Sequence, residues 1–155
     1  DLFLACGPER LAGDAAINHR IIRCMGLPCR PFDTAEAIQS ARPALERAAV
    51  IVDALLGTGF SGEVRPPLDL AIKEINAARE QGAVVVAVDV PSGLDCDTGR
   101  AAETTVRADA TVTFVARKAG FDVVGASAWT GRIIVADIGA PVELAERVAA
   151  RPGRP

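Results

Sequence analysis

The stretch VVVAVDVPSGLDCDTG, Val84 to Gly99, decides the fold. It begins as a near-continuous apolar run and ends in an acid, a Pro-Ser-Gly turn and two further acids. Such a run reads as a strand buried on both faces, as in a parallel sheet. Polar groups at the carboxyl end of that strand are how open α/β sheets build sites. Asp89 stands where burial gives way to the turn. An acid there must be solvated, paired or used.

Working outward, Ala49–Leu56 (AVIVDALL) is a second buried strand, running into the loop GTGFSGEVRPP. Between the two strands the spacing predicts an amphipathic helix over Pro67–Gln81. Leu68, Leu70, Ala71, Ile75 and Ala78 face in, Lys73, Glu74, Arg79 and Glu80 face out, and Gly82 ends it. Downstream come a strand at Ala108–Val115, a loop holding Arg117 and Lys118, a strand at Ile133–Ile138 and a short helix at Val142–Ala150. Upstream, Leu2–Cys6 reads as a short strand. A helix follows with Asp14 as N-cap and Gly26 as stop, then an edge strand at Cys29–Phe32 confined by Pro28 and Pro31. Thr34 caps a second helix to about Arg47, interrupted at Pro43. Strands alternating with helices imply α/β architecture: a doubly wound, mostly parallel sheet with helices on both faces. One domain over residues 1–150 and a tail at 151–155 account for the chain.

With 155 residues and 50% hydrophobic content the chain can build a real core. A net charge of -3 and only 4% aromatics disfavour nucleic acid as the main partner, since base stacking needs more rings. A lone histidine, His19, leaves little material for a His-based triad or zinc site, and its place on a helix's apolar side suits a core or boundary role. Cys6, Cys24, Cys29 and Cys96 form no C-x-x-C pair and read as thiols of a reducing cytoplasm. No apolar run reaches the roughly 18 residues a membrane span requires, and no signal peptide is visible.

Three strand ends carry chemistry: Asp53 through Glu63, Asp89 through Asp97, and Phe114 through Lys118. Parallel strands bring all three to one edge of the sheet. Gly57–Gly62 spells G-T-G-F-S-G, but Glu63 to Pro66 separate it from the next helix. The acid a dinucleotide fingerprint places about 20 residues on is missing. The loop is either a glycine turn or a backbone cradle for phosphate. Asp53 and Asp89 end strands separated by one helix, which places their carboxylates about 5–7 Å apart if the strands are neighbours. Their repulsion demands a cation, a raised pKa or divergent side chains; Ser92 offers a cation a further oxygen, and all-oxygen ligation suits a hard ion. Alternatively both acids only cap loop amides. Asp95 to Gly99 faintly resembles a calcium loop without its distant glutamate, and reads as a solvated acidic turn. Lys118 could hold a phosphate, position an acid, or simply be exposed.

At VDALLGTGFSG and VAVDVPSGLDCDTG the chain resembles the YjeF amino-terminal family, the NAD(P)H-hydrate epimerases. LACGPERLAGDAAINHRIIRCMGLP, ADATVTFVARKAGF and GRIIVADIGAP extend the likeness over about Leu2 to Pro141. The resemblance implies a Rossmann-like fold and a cofactor-repair reaction, interconverting R and S forms of NAD(P)H hydroxylated at C6 so that a separate dehydratase can restore the S form. On matching positions, Gly57, Thr58, Gly59, Phe60, Ser61, Gly62 and Glu63 would line the hydrate site and Asp89 would contact substrate. Asp53 and Ser92 would ligate a potassium ion lying between the acids. Asp89 is then the general acid/base, with Lys118 as helper. The family's Asn-Asn-Gly-Gly-Asp loop after its first strand has no counterpart in these 155 residues. The expectation is therefore a truncated or divergent member with an exposed sheet edge or face, and a possible homodimer. Two other classes stay open. Domains of this family also serve as non-catalytic scaffolds, in an mRNA-decapping enhancer and in apolipoprotein binding. An NAD-dependent oxidoreductase is the other, disfavoured by the missing ribose-binding acid.

Overall fold

The computed structural model describes residues 1–141 and Glu143. Glu143 apart, the expected helix at Val142–Ala150 and the tail at 151–155 lie outside the described residues. The elements alternate as expected: β1 (Leu2–Leu4), α1 (Gly13–Cys24), β2 (Cys29–Pro31), α2 (Ala35–Glu46), β3 (Val50–Asp53), α3 (Leu68–Glu80), β4 (Val84–Val88), β5 (Ala110–Phe114), α4 (Ser127–Thr130) and β6 (Arg132–Ala136).

Every strand pairing is parallel, but the strands form two sheets rather than one. β1 pairs with β2, and β3-β4-β5-β6 form a four-stranded sheet. Between β1 and β3 lies a cavity of about 1470 Å³ lined by residues of both strands. The outer edge of β3 therefore has no strand partner among the described residues. The expected exposed edge is present, and with it an exposed face. Val50 and Val52 are 57% and 63% exposed, and Val84, opposite Val50 in register, is 45% exposed. β3 thus alternates exposed and buried where the sequence suggests burial on both faces.

The other face carries the core. Ile51, Val85 and Ala87 pack with Ile38, Ala41 and Leu45 of α2 and Ala71, Ile72, Ile75 and Ala78 of α3. Three expectations for the helices are not met. α3 turns Ile72 inward and buries Glu74, because Arg42 of α2 donates to the Glu74 carboxylate at 2.9 Å. α2 runs unbroken through Pro43. Thr34 caps α2 as expected, accepting from the Ala37 amide at 3.1 Å. Asp14 is not an N-cap; α1 begins at Gly13, and Asp14 lies in its first turn, where a negative charge still complements the helix dipole. His19 sits half-buried on α1. A smaller cluster of Val90, Leu94, Cys96 and Phe121, packed by Trp129 and Ile133, closes the end of the sheet where β4 and β5 emerge. Among the described residues no helix is long and apolar enough to cross a membrane.

Candidate active site

β3 and β4 are neighbours, with Asp53 opposite Ala87, so Asp53 and the end of β4 meet at one edge as the sequence implies. Asp53 is 1% exposed. Its Oδ2 accepts from the Ser92 amide at 2.8 Å, its Oδ1 from the Ser92 hydroxyl at 2.7 Å and, more distantly, from the Leu55 amide at 3.3 Å. The Ser92 hydroxyl oxygen accepts in turn from the Leu56 amide at 2.9 Å. Gly93 makes this turn possible. Its φ is +96°, and a β-carbon there would run into the Thr104 carbonyl and Thr105. Burial pushes the Asp53 carboxyl above its ordinary pKa, and the Ser92 and Leu55 donors only partly oppose it. No cationic side chain pairs with Asp53 among the described residues.

Asp89 differs in every respect. It has φ +67°, and Val90 donates across it to the Val88 carbonyl at 2.8 Å, which makes a γ-turn of the strained hand. The turn aims the side chain away from β3 and towards β5. Three donors converge on Oδ1: the Thr113 hydroxyl at 2.9 Å, the Phe114 amide at 3.3 Å and Lys118 Nζ at 2.8 Å. Among the described residues no hydrogen bond or ion pair reaches Oδ2. Partial burial pushes this carboxyl upward, but the Lys118, Thr113 and Phe114 donors, with the Lys118 charge, outweigh it and hold the pKa below the ordinary range. The two acids therefore relieve their repulsion by diverging. Each has its own partner, Asp53 the Ser92 hydroxyl and amide and Asp89 the Lys118 ammonium. Lys118 is no idle surface cation: its side chain is 20% exposed and also donates to the Phe114 carbonyl at 3.2 Å.

The glycine loop lines a cavity of about 730 Å³, to which Gly57, Gly59, Phe60, Ser61, Gly62 and Glu63 contribute; neither Thr58 nor Asp89 is among its lining residues. α3 starts at Leu68, so the loop does not open a helix as a dinucleotide fingerprint would. Gly57 and Gly59 have no left-handed φ, and open space surrounds the position of a β-carbon on each. Neither a left-handed φ nor a close neighbour requires glycine at these two positions. The loop is tied down on both sides. The Cys96 thiol, 6% exposed, donates to the Thr58 carbonyl at 3.4 Å, and the Glu63 carboxylate accepts from the Glu103 amide at 2.9 Å. Burial, with Asp97 and Asp95 nearby, raises the Cys96 thiol pKa and so disfavours its thiolate. Asp95 accepts from the Asp97 and Thr98 amides, the turn expected of it.

Asp53 with the oxygens of Ser92 and Leu56 is a buried all-oxygen set with no cationic side chain among the described residues. All-oxygen donors are the type that hard cations take. No group of three or more His, Cys, Asp or Glu side chains that could hold a metal ion occurs among the described residues.

The chain's residues 1–120 match the family of the YjeF-related protein N-terminus. It is 40% identical over 156 residues to an NAD(P)H-hydrate epimerase of Pirellula staleyi, covering 97% of this chain and 65% of that protein. It is 42% identical over 137 residues to one of Rhodopirellula baltica, covering 88% of this chain and 53% of the relative. A bifunctional NAD(P)H-hydrate repair enzyme of Coxiella burnetii is 41% identical over 138 residues, covering 89% of this chain and 26% of the relative. The chain thus spans only part of each relative's length. The crystal structure of the yeast protein ynu0 shares the fold at a TM-score of 0.72 and 20% identity, covering 98% of this chain and 60% of that one.

Proposed function

The chain belongs to the family of the YjeF-related protein N-terminus, and on that premise we propose that it carries out NAD(P)H-hydrate epimerisation, interconverting the R and S forms of the C6-hydroxylated cofactor. The observation that carries the reading is Asp89. It is an ionised carboxylate on a strained turn, with one oxygen saturated, one left open, and an ammonium in contact. We take residues 1–150 as one domain of this kind, working in a reducing cytoplasm that keeps its four cysteines unpaired. Gly57, Gly59, Phe60, Ser61, Gly62 and Glu63, with Thr58 behind them, receive the nucleotide, whose phosphates approach the backbone where no side chain intervenes.

In this reading the C6–O bond breaks with its electrons leaving on oxygen. The Lys118 ammonium protonates that oxygen as it departs as water, and the ring nitrogen lone pair stabilises the resulting cation. Water then adds to the opposite face, and Asp89 accepts its proton. The direct 2.8 Å contact returns that proton to Lys118 and resets the pair. A positioned acid or base of this kind typically contributes about 10²–10⁴-fold. Asp53, Ser92 and the Leu56 carbonyl would hold a potassium ion, whose charge would compensate the buried carboxylate and fix the turn that carries Asp89. The product S hydrate passes to a dehydratase; several relatives are named bifunctional NAD(P)H-hydrate repair enzymes, which is consistent with a second activity coupled to this one. A homodimer is part of the same proposal.

R/S interconversion of the hydrate, followed beside a hydride-transfer assay on the full chain, tests the reading. The expected result is epimerisation without hydride transfer, slowed about a hundredfold or more in Asp89→Asn. An Asp89→Asn rate within about threefold of the parent excludes this role for Asp89.

A further inference from the structure

We infer that Thr113 is the positioning residue of this site: its hydroxyl fixes one oxygen of the Asp89 carboxylate so that the other, Oδ2, meets the substrate. The inference rests on the reading of Asp89 as the reacting acid. Of the three donors on Oδ1, Lys118 arrives on a long, partly exposed side chain, and the Phe114 amide stands off at 3.3 Å. Thr113 alone is both close, at 2.9 Å, and fully buried at 0% exposure. Its β-branched side chain is stiff at χ1, so the hydroxyl position is set by the strand and not by solvent.

The sheet register supports the assignment. β4 and β5 pair up to Val88 opposite Val112, so Thr113 is the first β5 residue beyond that register and lies beside the strained turn at Asp89. The position is one where an apolar residue would pack without a partner. A buried hydroxyl there costs free energy unless it is bonded. Thr111, two residues earlier on the same face, gives its hydroxyl to the Thr130 carbonyl at 2.7 Å. Among the described residues Thr113 has no such backbone partner; its bond goes to Asp89.

A donor on Oδ1 also favours the ionised form of the acid, in the same direction as Lys118. The other ionisable groups at this end of the sheet include Asp53, held by Ser92, Glu63, which accepts from the Glu103 amide, Arg117, engaged by Asp122, Asp137 after β6, which accepts from the Gly139 amide, and Asp95, Cys96 and Asp97 of the turn. Lys118 alone among them bonds to Asp89.

The test compares Thr113→Val, which keeps the shape and removes the hydroxyl, with Thr113→Ser, which keeps the hydroxyl, both in the full chain. The first readout needs no substrate: titration of the Asp89 carboxyl by ¹³C NMR, its signal identified by loss in Asp89→Asn. Thr113→Val is expected to move the Asp89 titration to higher pH and Thr113→Ser to restore it. The second readout is the pH profile of epimerisation. The acid limb of kcat/KM is expected to move to higher pH in Thr113→Val, with kcat at neutral pH lower by about tenfold and KM within about threefold. A folded Thr113→Val whose Asp89 titration and acid limb overlie the parent's overturns the inference, as does a Thr113→Ser that fails to restore them. A parent that shows no epimerisation while the titration still moves instead overturns the reading of Asp89 as the reacting acid.

Discussion

Two adjacent parallel strands end in aspartate, and the two aspartates have opposite surroundings. At the end of β3, Asp53 is buried and bonded only by neutral donors, with its pKa raised. At the end of β4, Asp89 is partly exposed, bonded by an ammonium and held on a left-handed turn, with its pKa lowered. The difference separates holding a structure together from holding a charge ready. A buried acid with neutral donors makes a knot that resists opening. A partly exposed acid held ionised by an ammonium leaves one oxygen open, which suits the acid/base role proposed for it.

Asp53→Ala gives the strongest test of that contrast through stability. It leaves the Ser92 amide and hydroxyl and the Leu55 amide without their partner. The expected loss is about 3 kcal/mol by denaturant unfolding, against about 0.5 kcal/mol or less for Asp89→Asn. The contrast breaks if Asp89→Asn costs as much stability as Asp53→Ala.

Gly59→Ala extends the comparison to the loop. With an ordinary φ and open space for the methyl group, stability should hold or rise slightly, while affinity for the hydrate falls about tenfold, some 1.4 kcal/mol. A drop in stability with unchanged affinity would return this loop to a purely structural role.

The smallest effect is electrostatic and has opposite signs at the two acids. Asp89's folded pKa lies below the ordinary carboxylate value of 3.8. Its contribution is present above that value and lost as pH falls through the folded pKa, so the gap between parent and Asp89→Asn narrows on acidification. Asp53's folded pKa lies above 3.8. Ionising it costs stability as pH rises from 3.8 through the folded value, so the gap between parent and Asp53→Asn widens on acidification. Replacing a bulky organic cation by potassium at neutral pH should restore about 1 kcal/mol to the parent and nothing to Asp53→Asn. Parallel slopes for the two variants, or equal potassium effects, would erase the distinction.

Asp89, Asp53, Ser92 and the glycine loop are legible in the sequence because each sits at a strand end or in a run of turn residues. Thr113 is not. In ADATVTFV it reads as ordinary strand alternation, and its partner lies 24 residues away in sequence, reachable only once the β4–β5 register is known. Lys118 is legible as a candidate because it follows a strand end, but its 2.8 Å contact with Asp89 depends on the fold, since nothing near it in the chain says which group it meets. Glu74 shows how a helix pattern misleads. Charge at a helical position suggests solvent, yet Arg42 of the neighbouring helix supplies a partner and the side chain is buried. The division into two sheets escapes local pattern altogether, because β1 and β3 each have a strand-like composition and differ only in which neighbour they find.

Val115, at the end of β5, shares the φ of +67° found at Asp89, with Ala116 donating across it to the Phe114 carbonyl at 2.7 Å. Twin left-handed turns at non-glycine residues each carry roughly 1–3 kcal/mol of strain that glycine would release. Laboratory evolution that sorted variants for heat resistance alone would therefore be drawn to glycine at both positions, and at residue 89 the fittest survivor of such a screen would be a sturdier protein without its carboxylate.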